Sequence, residues 1–285
     1  MKKNVTIEAP AKINLTLDIK GKRADGYHEL ETVMHQINLV DHIHLQEAEK
    51  GVTCRSNSTL IPDDESNLAF QAAELMIEKF GITEGVNIFI EKNIPVGAGL
   101  AGGSTNAAAV LEGMNQLFAL QVPSPRLQEL GATLGSDVPF CLLQGTAVAR
   151  GRGELLTPLT KGPRLELLLV KPDYQLSTAE VYRQFRMEKI TKSPDTLAFL
   201  NAWGTEDIDG VCKYIINVLE TVSIPMVPEI ENIKQQICSL GAQNVLMSGS
   251  GPTVFGIFKT QQEARLAWES MKVRYQESFV VSSYR

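Results

Sequence analysis

Residues 95–109 read PVGAGLAGGSTNAAA, and this glycine-rich stretch decides how the rest of the chain is interpreted. Glycine occupies positions 97, 99, 102 and 103, and small residues that can begin a helix follow. Such a turn lets backbone N–H groups approach an anion closely at the positive end of a helix dipole. The stretch therefore predicts a phosphate-binding turn at a junction between a strand and a helix.

Two known phosphate-binding templates share part of this spacing. Gly97, Gly99 and Gly102 spell the dinucleotide fingerprint G-x-G-x-x-G, whereas residues 97–104 match a P-loop in which Gly103 replaces the lysine. The dinucleotide fingerprint requires a second strand that ends in an acid about 20 residues later. Here the chain continues as LFALQVPSPRLQELGATLGSD, which predicts a loop and another helix. A glycine-rich helix entry without a ligand remains the third interpretation. If phosphate binds, its counter-charge comes from elsewhere in the chain.

The composition is that of an ordinary globular protein with one large or two modest domains. The chain has 285 residues, 44% of them hydrophobic, and can bury a sizeable core. Its net charge of −6 argues against a nonspecific nucleic-acid partner or an anionic membrane surface. No apolar run reaches the roughly 18 residues of a membrane span, and the start MKKNVTIEAP lacks the apolar part of an export signal. We therefore expect a soluble, cytoplasmic protein, with its oligomeric state left open.

The residues that commonly bind metals do not form a recognisable site. The four cysteines are widely spaced and form no C-x-x-C motif, which favours reduced thiols in the cytoplasm over disulfides or structural zinc. His42 and His44 would share one face of a strand, but no third ligand with a recognisable spacing accompanies them. We therefore assign no cysteine or histidine as a metal ligand and predict a solvated strand at these histidines.

Strand and turn patterns dominate the start of the chain. Apolar and polar residues alternate over Lys12–Ile19, which predicts a strand with Lys12 and Asn14 on one face. A turn is expected at residues 25–26, and the next strand passes through TVMHQINLV. Tyr27 and His28 lie just past the turn.

Helical patterns surround the glycine-rich stretch. Residues 67–80 predict a helix, and residues 86–91 predict the strand that enters the loop. Ser104 or Thr105 is expected to cap the following helix. A further helix begins at residues 124–125 and ends at Gly135. Glycines at 151 and 153 and the segment Lys161-Gly162-Pro163 mark the expected boundary between domains at 1–160 and 161–285.

The second half contains a second glycine loop. LELLLVKP predicts a strand, and NVLMSGSGPTVFGIF predicts two strands around the glycines at 249 and 251. These glycines could serve only to make a tight turn. Alternatively, the loop could close over phosphates that the first glycine loop holds.

Three segments resemble the signature segments of the GHMP small-molecule kinases, in the same order along the chain: PAKINLTLDI, PVGAGLAGGSTNAAA and MSGSGPTVFGIF. Within that superfamily, GKRADGYHELET and LGSDVPF are similar to kinases of isoprenoid-precursor synthesis that act on a cytidine diphosphate-linked methylerythritol. The resemblance implies a two-domain α/β (α+β) fold with its active site in the cleft between the lobes. It also implies ATP as phosphoryl donor, Mg²⁺, and the 2-hydroxyl of the cytidine-linked substrate as acceptor.

The same resemblance assigns roles to individual residues. Asp137 corresponds to the base that takes the acceptor proton, and Lys12 supplies the cation that Gly103 cannot. The nucleotide positions are Asn67, Leu68, Lys92, Pro95, Gly97, Gly99, Leu100, Gly102, Gly103, Ser104 and Thr105. The acceptor positions are Asn14, Tyr27, His28, Thr178, Tyr182, Ser248 and Gly249. A helix cap, a core leucine and a solvated lysine explain Asn67, Leu68 and Lys92 equally well.

Two rival functions follow from the same residues. One is a GHMP kinase with another acceptor, such as mevalonate, homoserine or a sugar; the segment DGYH suits a flat base better than a small aliphatic acceptor. The other is a noncatalytic ligand-binding protein of the same fold. The presence of both Lys12 and Asp137 argues against the second.

Overall fold

The computed structural model describes residues 2–284 and shows a mixed α/β protein with two compact units. The first unit comprises the chain up to Ala11, Leu39–Val96 and Ala101–Gln144. The second comprises Lys12–Asn38, Gly97–Leu100 and the chain from Gly145 onward. The units therefore interleave along the sequence, and strands β1 (Asn4–Lys22) and β2 (His28–Ala48) each contribute to both. The predicted boundary between residues 160 and 161 stays a prediction.

The first unit packs four helices with a small sheet. Strand β4 pairs antiparallel with the second part of β2 and parallel with β3. The elements that lie wholly in this unit are β3 (Val52–Ser56), α1 (Leu68–Phe80), β4 (Gly85–Glu91), α2 (Gly102–Leu117), α3 (Ser124–Leu134) and α4 (Val138–Leu143). Their apolar faces form one buried cluster, which includes Ile43, Ile88 and Met114. Burial of such side chains contributes about 1.5–3 kcal/mol each.

Local signals explain most of the boundaries in this unit. Asn67 caps α1 by accepting a hydrogen bond from the Ala69 N–H at 2.9 Å. Helix α3 ends at Gly135, as predicted. The expected caps of α2 are wrong: the helix begins at Gly102 after Ala101, and Ser104 and Thr105 lie inside its first turn. Gly102 and Gly103 have low helix propensity and so disfavour a helix that begins with them. The helix nevertheless begins there, directly after Ala101 in the left-handed conformation.

The second unit contains two sheets. In one, β5 pairs antiparallel with residues 30–35 of β2 and with β6, while β8 pairs parallel with β1. The other has the strand order β11-β7-β10-β9, and its β9–β10 hairpin confirms the two strands predicted around the second glycine loop. The elements are β5 (Thr146–Gly151), β6 (Leu155–Leu159), β7 (Glu166–Val170), α5 (Thr178–Gln184), α6 (Thr196–Gly204), α7 (Ile208–Tyr214), β8 (Ile216–Asn217), α8 (Glu220–Met226), α9 (Glu229–Ser239), β9 (Asn244–Met247), β10 (Val254–Phe258), α10 (Gln261–Met271) and β11 (Ser278–Ser282).

Strand β1 differs from its predicted form. The alternation over residues 12–19 indicated one polar face, yet the structure buries both faces of this part of the strand. Lys12 and Asn14 are 5% and 3% exposed. Buried polar groups of this kind require hydrogen-bond partners, which makes this face of the strand a candidate functional site.

The remaining sequence predictions concern thiols and membrane spans. All four cysteines are free thiols, three of them buried. Between residues 2 and 284, none of the helices combines the length and the apolar run that a bilayer crossing requires.

Candidate active site

Lys12 and Asn14 form the polar centre of β1 in the second unit. The Lys12 ammonium donates to Asn14 Oδ1 at 2.7 Å and to the Gly99 carbonyl at 3.4 Å. Asn14 in turn donates through Nδ2 to Thr32 Oγ1 at 2.8 Å. The amide dipole of Asn14 thus orients the buried lysine, and Thr32 on β2 orients the amide. Thr32 is a partner that the sequence patterns did not indicate.

The segment 97–100 of the first glycine loop lies against this centre. The Lys12 backbone N–H donates to the Leu100 carbonyl at 3.1 Å. At Gly99, φ is +75°, and a Cβ atom would lie 2.5 Å from the Ser248 carbonyl oxygen and 3.1 Å from the Gly251 carbonyl oxygen. Only glycine permits so close an approach of two backbones in a left-handed conformation. At Gly97, by contrast, a Cβ atom would meet only the side chain of Gln175, at 3.5 Å.

The second glycine loop, residues 248–251, therefore packs on the first. Ser248 Oγ donates to the Gly99 carbonyl at 3.1 Å. At Gly249, a Cβ atom would lie 3.2 Å from Asn14 Oδ1 and 3.6 Å from Lys12 Nζ. The structure thus brings Lys12, Asn14, Gly99, Ser248 and Gly249 together, although they are far apart in sequence. A buried cation beside two glycine turns is suited to binding an anion.

The rest of the first glycine loop belongs to the first unit and begins α2. Gly103 is exposed, and a Cβ atom there would lie 3.7 Å from Leu68 Cδ1, so the predicted nucleotide residues Leu68 and Gly103 are neighbours. Thr105 is buried and donates through Oγ1 to the Pro10 carbonyl at 2.9 Å. Ser104 is half-buried and lies one residue before it. Of the two hydroxyls, Ser104 is the better placed for a ligand.

Asp137 lies at the start of α4 in the first unit. Its backbone carbonyl accepts from the Cys141 N–H at 3.1 Å, and its side chain does not cap the helix. The turn before it reaches the start of α2, because a Cβ atom on Gly135 would lie 3.9 Å from Ser104 Oγ. The structure therefore brings the segment that carries Asp137 next to Ser104. Asp137 and Lys12 belong to different units.

Asn67 and Lys92, two further predicted nucleotide residues, have structural partners. Besides capping α1, Asn67 donates through Nδ2 to the Pro62 carbonyl at 2.7 Å. The Lys92 ammonium lies 2.8 Å from Asp41 Oδ2, and its side chain is 5% exposed. Burial lowers the pKa of Lys92, and the adjacent Asp41 carboxylate opposes that shift. Lys92 is therefore not the solvated lysine that the sequence allowed. Pro95, three residues after Lys92, is buried.

Two of the predicted acceptor residues, His28 and Tyr182, lie close together in the second unit. The His28 ring lies 5.5 Å from the Tyr182 ring and 6.0 Å from the Phe185 ring, measured between centroids. Partial burial, and secondly the charge of Lys22, lower the pKa of His28 below its usual 6.5. A neutral imidazole has one donor and one acceptor, which suits it to hydrogen-bond a base.

Tyr27 is 57% exposed beside this cluster. The Arg152 guanidinium lies 5.2 Å from the centroid of the Tyr27 ring, within the range of a cation–π contact. The sequence patterns assigned Arg152 only to a glycine-rich boundary, so its position beside an acceptor residue is new. Thr178 begins α5. Its Oγ1 lies 2.9 Å from Ser250 Oγ in the second glycine loop.

Comparisons with known proteins place this geometry in a family. The chain matches the family models of the GHMP kinases N terminal domain over residues 67–145 and the GHMP kinases C terminal domain over residues 202–276. It is 55% identical over its full length to a 4-diphosphocytidyl-2-C-methyl-D-erythritol kinase of Syntrophomonas wolfei, of which it covers 100%. The chain belongs to the 4-diphosphocytidyl-2-C-methyl-D-erythritol kinase family. The resemblance that the sequence motifs indicated is thereby confirmed.

Other relatives and solved structures agree with membership of the 4-diphosphocytidyl-2-C-methyl-D-erythritol kinase family. A relative with that name from Alkaliphilus metalliredigens is 44% identical over 99% of this chain and 97% of its own. A crystal structure of 4-(cytidine 5'-diphospho)-2C-methyl-D-erythritol kinase superposes with a TM-score of 0.85 at 35% identity, covering 99% of this chain and 100% of that one. The homoserine kinase of Cytophaga hutchinsonii, at 19% identity and a TM-score of 0.78, shares the fold. The chain is therefore an ATP-dependent kinase with the GHMP kinase fold, as predicted.

Proposed function

We propose that this chain transfers the terminal phosphoryl group of ATP to the 2-hydroxyl of 4-diphosphocytidyl-2-C-methyl-D-erythritol, a step in the non-mevalonate pathway to isoprenoid precursors. The family to which the chain belongs supports this activity. The observation that carries the chemistry is the buried Lys12 ammonium, held by Asn14 Oδ1 at 2.7 Å beside the Gly99 carbonyl. A kinase site that lacks the P-loop lysine needs such a cation.

Lys12 acts by stabilising negative charge on the phosphoryl group during transfer. A cation that is already oriented by its protein partners costs no reorganisation at the moment of reaction. Asn14 and the Gly99 carbonyl hold the ammonium in one position, and Thr32 holds Asn14. The N–H groups at the start of α2, from Gly102 to Ser104, supply further donors for the nucleotide phosphates.

Asp137 acts as the base that accepts the proton of the acceptor hydroxyl. Phosphoryl transfer depends mostly on positioning and electrostatics, with one residue taking the nucleophile's proton. Asp137 is half-buried at the start of a short helix, and the turn that precedes it lies close to Ser104. Lys12 and Asp137 together provide the two functional groups that this reaction requires.

Magnesium would enter this site together with ATP. Among residues 2–284, no three His, Cys, Asp or Glu side chains gather into a metal cluster. Mg²⁺ fits such a site, because it keeps several waters and binds through substrate phosphates with only one or two protein oxygens. Ser104 Oγ is the protein oxygen that we assign to it, since the Thr105 hydroxyl already donates to the Pro10 carbonyl. When bound, the ion would neutralise charge on the phosphates.

The acceptor's cytosine would lie beside Tyr27, His28 and Tyr182. The neutral form of His28 suits a hydrogen bond to the base, and the exposed ring of Tyr27 offers a face for stacking. Ser248, Gly249 and Thr178 lie on or beside the second glycine loop, where they would contact the phosphate part of the acceptor. A cytoplasmic location and the absence of nucleic-acid and membrane partners stay predictions from composition.

The test is the substitution Asp137→Asn, assayed by ADP formation with ATP and Mg²⁺. An amide keeps the shape but cannot accept the hydroxyl proton, so kcat should fall by about 10² to 10⁴ while KM changes little. Lys12→Met should also be severe, and the double variant should be little worse than the poorer single variant. Asp195→Asn is the matched control, because Asp195 only caps α6 by accepting from the Ala198 N–H at 2.9 Å.

Two results would contradict the proposal. Near-normal kcat in a folded Asp137→Asn protein that binds ATP would remove Asp137 as the base. Turnover confined to mevalonate or homoserine, in a panel that includes the cytidine-linked alcohol, would reject the substrate.

A further inference from the structure

Asp41 is a buried carboxylate of the first unit with partners on both sides of the glycine-rich segment. It lies on β2, is 0% exposed, and accepts through Oδ1 from the backbone N–H groups of Asn93 at 2.7 Å and Ile94 at 2.8 Å. Its Oδ2 accepts from Lys92 Nζ at 2.8 Å and from Asn106 Nδ2 at 2.8 Å. Four donors on one carboxylate satisfy it fully, as burial of a charge requires.

The partners of Asp41 flank the glycine-rich segment at both ends. Asn93 and Ile94 are the residues by which the chain enters the segment, and Asn106 lies in the second turn of α2, just after it. Lys92 adds a second tie at the entry, because its ammonium also donates to the Ile94 carbonyl. One carboxylate therefore fixes the distance between the two ends of residues 95–105.

Lys92 also lies directly beneath the first residue of α2. A Cβ atom on Gly102 would lie 3.1 Å from Lys92 Nζ and 3.3 Å from Ile94 Cγ2. The start of the helix thus rests on the ion pair. Any movement of the ammonium would displace the N–H groups of Gly102 and the residues after it.

We propose that Asp41 is a positioning residue for the nucleotide site, which acts through Lys92 and Asn106 to hold the ends of the glycine-rich segment at the separation that binds ATP phosphates. The inference rests on the proposed function of that segment. In this inference the Lys92 side chain acts on the nucleotide indirectly and does not contact it, because its ammonium already donates to Asp41 and to the Ile94 carbonyl.

A purely structural ion pair would behave differently from a positioning one. Loss of either kind lowers the fraction of folded protein, because it leaves a buried charge without its partner. Only a positioning pair also changes the affinity of the folded molecules for ATP while leaving the acceptor affinity unchanged. The decisive measurement is therefore the Kd for ATP with Mg²⁺ per folded molecule, together with the separate KM values for ATP and acceptor.

Asp41→Asn is the direct test, and Asn106→Ala is the milder one. Asparagine offers one oxygen where Asp41 uses two, so either the backbone N–H pair or Lys92 with Asn106 loses its acceptor. Asn106→Ala removes one tie, keeps the ion pair and places a strong helix former on α2. We expect the Kd for ATP to rise about tenfold or more in Asp41→Asn and about threefold to tenfold in Asn106→Ala, since small displacements of positioning groups have large effects.

Asn115→Ala is the matched control on the same helix. Asn115 bonds to the backbone of Val122 through both side-chain atoms, at 2.9 and 3.0 Å, at the opposite end of α2. It should lower stability while the Kd for ATP stays within about twofold of the unsubstituted protein, because it has no tie to the glycine-rich segment. If Asp41→Asn does not fold, Asn106→Ala carries the test.

The outcomes separate this inference from the function on which it rests. Gly102→Val puts a side chain where backbone must approach phosphate, and it should weaken ATP binding sharply. If Gly102→Val weakens ATP binding but folded Asp41→Asn and Asn106→Ala bind ATP within about twofold of the unsubstituted protein, the positioning role is overturned and the loop assignment stands. If Gly102→Val also leaves the Kd unchanged, both fail. An equal rise in Asn115→Ala would overturn the inference as well, because the effect would then be general loosening.

Discussion

Gly99→Ala tests the packing of the two glycine loops most directly. Gly99 has φ of +75°, and a Cβ atom there would lie 2.5 Å from the Ser248 carbonyl oxygen. Gly51 has nearly the same φ, +77°, but no atom within 4 Å of its Cβ position. Both substitutions cost about 1–2 kcal/mol for a left-handed alanine. Only Gly99→Ala adds the cost of forcing two backbones apart, about 1–3 kcal/mol.

The free energy of unfolding should therefore fall by about 1–2 kcal/mol in Gly51→Ala and by about 2–5 kcal/mol in Gly99→Ala. Urea denaturation followed by circular dichroism measures both in parallel. Because Ser248 and Gly249 must move, the KM for ATP or for the acceptor should also rise in Gly99→Ala and stay unchanged in Gly51→Ala. Equal destabilisation of the two variants, with unchanged KM values, would refute the contact between the loops.

Two further predictions concern a ring and a histidine. Tyr27→Ala should raise the acceptor KM roughly five- to 150-fold, which corresponds to about 1–3 kcal/mol of lost binding free energy. The KM for ATP is the internal control. A fall in ATP affinity with an unchanged acceptor KM would contradict the placement of the cytosine beside Tyr27. Burial lowers the pKa of His35 to about 4, so its unfolded form binds a proton first as the pH falls through about 6.5. The unfolding free energy should thus lose about 3 kcal/mol between pH 6.5 and 4 from this group. His35→Gln should flatten that pH dependence; a profile identical to that of the unsubstituted protein would exclude His35 as the cause.

The elements that the sequence predicted well are those with local signals. Helix α1 carries its own cap in Asn67, α3 ends at a glycine, and the β9–β10 hairpin surrounds a glycine turn. Each signal acts within a few residues, so the amino-acid order alone contains it. The glycine-rich segment was recognised for the same reason, because its glycines and the following helix are contiguous.

The features that were missed depend on residues far apart in sequence. The alternation over residues 12–19 placed Lys12 and Asn14 on one face of β1, but alternation within one strand does not indicate that Thr32 and Ser248 cover that face. The position of the Lys92 side chain beside the start of α2 likewise depends on its ion pair with the distant Asp41. Patterns within a window predict faces and boundaries, whereas burial of a polar face depends on the strands that pair beside it.

Lys92 shows why position beside a phosphate loop does not settle a lysine's role. From sequence, a lysine five residues before the first glycine of the loop could contact nucleotide or water. The partner that decides the matter, Asp41, lies 51 residues earlier on β2. An ammonium has three donors, and Asp41 Oδ2 and the Ile94 carbonyl take two of them. Lys92 could therefore give a phosphate at most one hydrogen bond without breaking the ion pair, whereas Lys12 donates to the Asn14 amide oxygen and to the Gly99 carbonyl. We therefore propose different roles for the two lysines: Lys12 supplies charge to the transferred phosphoryl group, and Lys92 positions the start of α2.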